Sequence, residues 1–323
     1  MNHRRLLTAA LPIALLLTIT SAACSTACTP DTPDQTEPWN TPWPAAPTAE
    51  PEPEPEPNPT LVVATWNMEW LTDQRPDDLP PRTQADLDRL AAYATRLDAD
   101  LIVFQEVEGE AVAAKVFDPA VYDFAFIDQD NTVQRVGAAW RRGLDVTLNP
   151  DLAELQLDGG RLRRGLDLTV RLPGVEVRFL AVHLKSGCFD GPLSPFDTAC
   201  ADLKRQLPIV EGWIDQRAAE HTPAIILGDF NRQLRPGEPF WDDLDDSDPE
   251  GSDLQLADAG HRPRCWDSRY PRFIDHIVLN ALAAPLLVDG SFDELVYDAA
   301  DARYSDQLSD HCPLRVAITA PAN

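Results

Sequence analysis

The spacing of apolar positions changes along the chain, and the changes mark its elements. Leu61 to Trp66 is a short run rich in β-branched and aromatic residues and reads as a strand. From Thr83 the period lengthens: Leu87, Leu90, Ala91, Ala94 and Leu97 share one face of a helix over 83–97. Thr83 followed three residues later by Asp86 gives that helix a capping box. Leu101 to Phe104 reads as a buried strand, and strand-like runs follow at Tyr122 to Ile127, Val136 to Trp140, Leu166 to Leu172 and Val175 to His183. Pro173-Gly174 makes the last two a hairpin. Leu203, Leu207, Val210 and Ile214 recur at helical spacing, with Pro208 expected to kink the helix. Ala224 to Leu227, Phe273 to Leu279 and Leu314 to Ile318 supply late strands. Many antiparallel strands with a few covering helices predict an α+β sandwich, sheets inside and helices outside.

Before residue 60 this patterning is missing. Eleven of the chain's 30 prolines fall between 30 and 59, alternating with glutamate from Pro51 to Pro57. Missing backbone donors and repelling charges there predict an extended linker over 24–59 rather than a packed element. Upstream, Arg4 and Arg5 precede an uncharged, mostly apolar stretch from Leu6 to Ile19, well short of the ~20 residues a membrane-spanning helix needs. Residues 1–23 therefore read as an export signal peptide. Cys24 after Ala22-Ala23 resembles the lipobox of bacterial lipoproteins, which implies an acylated cysteine and a cell-surface anchor, although Ser21 stands where that pattern carries an aliphatic residue. Cleavage after the alanines and release as a secreted protein is the alternative.

Residues 60–323 then form the functional domain, with no second linker or repeat to divide it. The whole chain carries a formal charge of −26, and 25 basic against 46 acidic side chains leave the domain at −21. Such acidity counts against a general nucleic-acid scaffold, whose affinity rests on Lys and Arg displacing counterions. It leaves room for an enzyme that grips one phosphate locally. The domain's four cysteines, Cys188, Cys200, Cys265 and Cys312, lack CxxC spacing, so a structural zinc site is not expected. Export is compatible with disulfides. Cys188 with Cys200 would close a short loop and Cys265 with Cys312 would join distant segments, and the sequence leaves all three pairings open.

Polar groups capable of chemistry follow the apolar runs repeatedly. Asn67 follows the first strand, Glu106 the second, His183 ends the hairpin, and Asp229 with Asn231 follows Ala224 to Leu227. Asp275-His276 lies inside a late strand, and Asp310-His311 immediately precedes the last. A strand end is rigid yet open to solvent, so several such ends can aim carboxylates, amides and imidazoles at one point.

Six segments in order carry a resemblance: Thr65 to Glu69, Phe104 to Val107, His183 to Ser186, Gly228 to Asn231, Ile274 to Ile277 and Ser309 to Pro313. Together they resemble the endonuclease/exonuclease/phosphatase family, which includes deoxyribonuclease I, over nearly all of 60–323. The resemblance implies a four-layer α/β sandwich of two packed, mostly antiparallel sheets flanked by helices. It also implies hydrolysis of a phosphoester with a divalent cation, normally Mg²⁺, with Mn²⁺ or Ca²⁺ as substitutes. Mg²⁺ takes oxygen ligands, which makes Glu106 the first candidate ligand, with Asn67 and Asp310 beside it. By resemblance Asp229 orients or deprotonates the attacking water, Asn231 donates to the developing charge, and Asp275 holds His311 in tautomer and orientation. Either Asp229 or His311 can serve as the base. His183 is a candidate proton donor. Lys185, Arg163 and Arg164 are candidate phosphate contacts.

The catalytic motifs do not select the substrate. Histidines at 183 and 311 in an exported chain favour an extracellular nuclease acting as a monomer on nucleic acid. A phospholipid or small-molecule phosphodiesterase or phosphatase is the alternative, and a non-catalytic surface-binding module is a third reading. A nuclease of this charge requires Arg141, Arg142, Arg161, Arg163 and Arg164 to gather into a local basic strip.

Overall fold

A computed structural model describes residues 59–321 except 130, 131, 158, 250, 251 and 269. The signal peptide, the lipobox cysteine and the proline-rich linker of 1–58 lie outside the described residues.

The first sheet is built from β1 (Thr60–Leu71), β2 (Leu101–Val107), β3 (Tyr122–Phe126), β4 (Arg135–Arg141) and, from the end of the chain, two strands described below. The second contains β5 (Asp145–Leu148), β6 (Leu166–Leu172), β7 (Val175–His183), β8 (Ala224–Asp229), β9 (Leu254–Leu256) and β10 (Asp275–Asn280). The chain then returns to the first sheet with β11 (Asp293–Glu294) and β12 (Leu314–Thr319). The orders are β11-β12-β1-β2-β4-β3 and β5-β6-β7-β8-β10-β9. Each sheet has one parallel pair, β1 with β2 and β7 with β8, and is otherwise antiparallel.

Each parallel pair needs a crossover, and each crossover carries a helix. The first is α1 (Gln84–Leu97), where the Thr83 N–H donates to the Asp86 carboxylate, as in the expected capping box, and the Thr83 hydroxyl donates to the same carboxylate. The short α2 (Glu110–Ala113) follows β2. The second crossover is α3 (Thr198–Ala219), capped by Asp197, which accepts from the Cys200 N–H; it runs through Pro208 as one element. Two short helices, α4 (Pro239–Leu244) and α5 (Cys265–Ser268), lie in the connections around β9.

The central strands read as nearly continuous apolar runs because both faces are covered. Leu61 and Val63 of β1 face the second sheet, where Leu168, Phe179, Ile225, Leu227 and Ile277 meet them. Ala64 and Trp66 face the other way, against Leu90, Tyr93 and Leu97 of α1. Leu180, Val182 and Ile226 of the second sheet pack likewise under Leu203, Val210 and Trp213 of α3. Helix, sheet, sheet, helix is thus the four-layer sandwich expected. Among the described residues the disulfides are Cys188–Cys200 and Cys265–Cys312.

Candidate active site

The parallel pairs fix where the polar strand ends meet. In the first sheet, Asn67 pairs in register with Gln105, so Asn67 and Glu106 emerge side by side. In the second, His183 pairs with Asp229, and Asp275, at the start of antiparallel β10, pairs with the same Asp229. Leu314 of β12 pairs with Thr65, which brings the preceding loop with Asp310 and His311 to the same edge. The two sheets therefore deliver their polar ends to one cleft of about 510 Å³.

The local backbone is bent to achieve this. Gly228 has φ +143°, and a Cβ there would meet the Val182 carbonyl oxygen at 2.1 Å, so only glycine lets β8 approach β7 closely enough to aim Asp229 inward. Glu69, Trp70, Glu106 and Asn231 all adopt positive φ without being glycine. Such residues cost ~1–3 kcal/mol each and persist only where surroundings hold them. Arg82 is one holder: its guanidinium donates to the carbonyls of Met68, Glu69 and Trp70 and across to Gln307 and Leu308. It thereby joins the end of β1 to the loop that carries Asp310 and His311. Burial lowers its pKa to about 10, which still leaves it cationic at neutral pH.

Hydrogen bonds set the rest. Asn67 Nδ2 donates to Asp229 Oδ2 at 3.0 Å and lies 3.5 Å from Glu106 Oε1, while the Trp70 N–H donates to Glu106 Oε2 at 3.1 Å. The Asn231 N–H donates to Asp229 Oδ1 at 2.7 Å, and its side-chain amide donates to the Leu184 carbonyl. Burial, followed by repulsion from Asp275, raises the Asp229 carboxyl to about 7. His311 Nδ1 lies 2.6 Å from Asp275 Oδ2. Although burial opposes its charge, Asp275 and then Asp310 and Asp229 hold the imidazole well above its usual 6.5, as an imidazolium. Its loop is pinned by Ser309, whose hydroxyl donates to the Asn67 carbonyl and accepts the His311 N–H, and by Tyr297, which donates to the His311 carbonyl.

His183 Nε2 lies 3.6 Å from Asp229 and 3.7 Å from Glu106. Burial, with Arg163 and His311 adding repulsion, keeps this histidine well below 6.5 and neutral, so these approaches are not ion pairs. Arg163 lines the cleft, its buried Nε has no hydrogen-bond partner, and Glu106 and Asp229 attract it electrostatically.

The expected metal ligands Asn67, Glu106 and Asp310 all line the cleft, and Glu69 joins them. Burial and then Asp310 raise the Glu69 carboxyl to about 7, against the pull of Arg75 and Arg82, with Glu106 adding further repulsion. Three carboxylates and an amide thus line the cleft with oxygens of the kind a hard divalent cation takes. Asp229, Asp275 and His311 also bring ligand atoms within 4.8 Å of one another, but the His311–Asp275 hydrogen bond already occupies His311 Nδ1. That group is better suited to proton chemistry.

Of the expected site residues, Asn67, Glu106, Arg163, His183, Asp229, Asn231, Asp275, Asp310 and His311 are brought together. Lys185 and Arg164 are not: the Lys185 ammonium turns to the Ser186 carbonyl and Arg164 to Gln156. Nor does the arginine strip gather. Arg141 pairs with Asp98 and Asp100, and Arg142 with Asp123, at the end of β4 opposite the one that adjoins Glu106. Glu69 escaped the sequence reading although it stands two residues beyond Asn67, the spacing that returns a strand side chain to the same face. Nothing in the sequence marks Arg82, whose partners are all backbone.

The sequence model of the Endonuclease/Exonuclease/phosphatase family matches residues 64–311. No curated protein sequence matches the chain. Among solved structures, TDP2 from C. elegans superposes with a TM-score of 0.56 at 16% identity, covering 81% of this chain and 75% of that one. D. rerio TDP2, complexed with single-strand DNA product, gives 0.56 at 18%, covering 81% and 99%. The 3′ phosphatase NExo from Neisseria, bound to a product DNA hairpin, gives 0.52 at 16%, covering 80% and 100%. With the matched segment spanning every strand end that lines the cleft, the chain belongs to the endonuclease/exonuclease/phosphatase family of phosphoester hydrolases.

Proposed function

We propose that the protein is an exported Mg²⁺-dependent nuclease that cleaves phosphodiesters by in-line attack of water. The observation that carries this reading is the convergence in one cleft of an oriented carboxylate, Asp229, a cationic imidazole, His311, and an arginine, Arg163, whose buried Nε has no hydrogen-bond partner. Family enzymes generally use divalent metal ions. Asn67, Glu106 and Asp310, with Glu69, would hold the ion; when bound, it neutralises phosphate charge and favours ionised carboxylates around it.

The chain's own residues do the rest. Arg163 fixes the scissile phosphate. Asp229, held by Asn67 and the Asn231 N–H, orients the water and takes its proton. Asn231 has a second amide hydrogen for the developing charge, and His311 donates from Nε2 while Asp275 holds its other nitrogen. Neutral His183 offers a hydrogen bond without adding charge. A nucleic-acid substrate is supported by the aromatic groups Trp70, Phe189 and Tyr270 in the cleft lining, and by Arg163 and Arg272, which, with Arg141 and Arg142 turned elsewhere, take the place of the expected arginine strip against the domain's negative field. Two disulfides support an oxidising compartment and hence export, anchored through Cys24 or released.

A phosphodiesterase acting on lipid headgroups is the second reading, favoured by Phe196, which is 98% exposed. Nicking of supercoiled plasmid by the purified protein in Mg²⁺, abolished by EDTA, is the expected result. No nicking, with release of headgroups from phosphatidylcholine vesicles under the same conditions, selects the second reading.

A further inference from the structure

The loop after β7 combines a fixed backbone with an exposed aromatic side chain. Cys188 is tied to Cys200 at the start of α3. Arg232, fully buried and paired with equally buried Glu238, donates to the carbonyls of Cys188 and Gly191. Between these anchors the Gln233 N–H donates to the Phe189 carbonyl at 2.9 Å, and Arg235 pairs with Asp190 at 2.8 Å. Phe189 is thus held from both sides of its own peptide, yet its side chain remains 44% exposed and lines the cleft. The brace and the chemistry are continuous in sequence, since Asn231 directly precedes Arg232.

A rigid loop that leaves a phenyl ring uncovered beside the reaction centre forgoes the stabilisation its burial would give. The surroundings of the ring indicate what covers it. Ser186, Asn231 and Gln233 line the same cleft, and Gln233 is hydrogen-bonded to the Phe189 backbone. An aliphatic chain entering the cleft would offer these polar groups no hydrogen-bond partner. A nucleobase matches both features, with a π-face for the ring and hydrogen-bonding edges for an amide and a hydroxyl. Resting on the nuclease reading above, we propose that Phe189 is a specificity-determining residue, a fixed platform that stacks on the nucleobase flanking the scissile phosphate. Phe196, on the same loop, does not line the cleft and takes no part.

The test uses the purified protein, Mg²⁺ and two single-stranded oligonucleotides, one of them with the base beside the cleaved bond replaced by tetrahydrofuran. Wild type should show a KM about tenfold higher on the base-free substrate, equivalent to ~1.4 kcal/mol and within the range of one base–aromatic stack, at similar kcat. Phe189→Ala should show the higher KM on both substrates, and Phe189→Trp should restore discrimination. Equal KM values for wild type on the two substrates, or discrimination retained by Phe189→Ala, overturn the platform and leave the nuclease reading standing. No cleavage of either oligonucleotide by wild type that nicks supercoiled plasmid overturns the platform alone, and no cleavage of oligonucleotide or plasmid overturns both.

Discussion

Two Asp–His pairs share strand β10, and only one of them faces the cleft. Asp275 and His276 are neighbours, so their side chains leave the strand in opposite directions. Asp275 meets His311 at 2.6 Å, with both side chains slightly exposed at 12% and 13%. His276 meets Asp258 at 3.1 Å with 1% and 7% exposed, and its second nitrogen lies 2.9 Å from the Arg232 carbonyl. The residue types are the same and the access differs. His311 spends one nitrogen on Asp275, whereas His276 spends one on Asp258 and the other on the Arg232 carbonyl, in the segment that follows Asn231. Under the proposed function, one pair serves proton transfer and the other support.

The largest expected effect separates the pairs in activity. His311→Ala should reduce the turnover of the folded fraction ~10³-fold, as loss of a general acid does. His276→Ala should instead cost about 3 kcal/mol by leaving Asp258 buried and unpaired, while turnover of the folded fraction changes far less. Chemical denaturation and steady-state kinetics on both variants check this, and equal behaviour would dissolve the distinction.

A finer difference lies in pH. Burial works against charge on His276, yet Asp258 and the Arg232 carbonyl hold its pKa above the usual 6.5. Because the folded value exceeds the unfolded one, the pair's contribution is complete below pH ~6.5 and is lost as pH rises through the folded value. The stability gap between wild type and Asp258→Asn should therefore be widest in mild acid and narrow towards alkaline pH. A gap that widens with pH contradicts the assignment. The smallest effect belongs to Lys185→Ala: with its ammonium on the Ser186 carbonyl, less than about a twofold change in kcat/KM is expected.

The same contrast explains what the sequence revealed. β6 and β7 were legible to the residue, because alternation and the Pro173-Gly174 turn act locally. β5, β9 and β11 were not, since strands of two to four residues carry too little periodicity to register. Asn67, Glu106, Asp229 and His311 stood out because each follows or precedes an apolar run. Arg82 and the role of His276 stayed hidden, as each depends on partners brought close only by folding. Arg141 and Arg142 misled because sequence proximity to other arginines says nothing about which end of a strand they occupy.

The central claim is that Asp229 orients the attacking water in this cleft. Asp229→Asn preserves shape and removes the proton acceptor, so its single-turnover rate on plasmid DNA in Mg²⁺ is the direct measurement. A fall of ~10³-fold with an unchanged unfolding midpoint is predicted; a rate close to wild type would place the chemistry elsewhere.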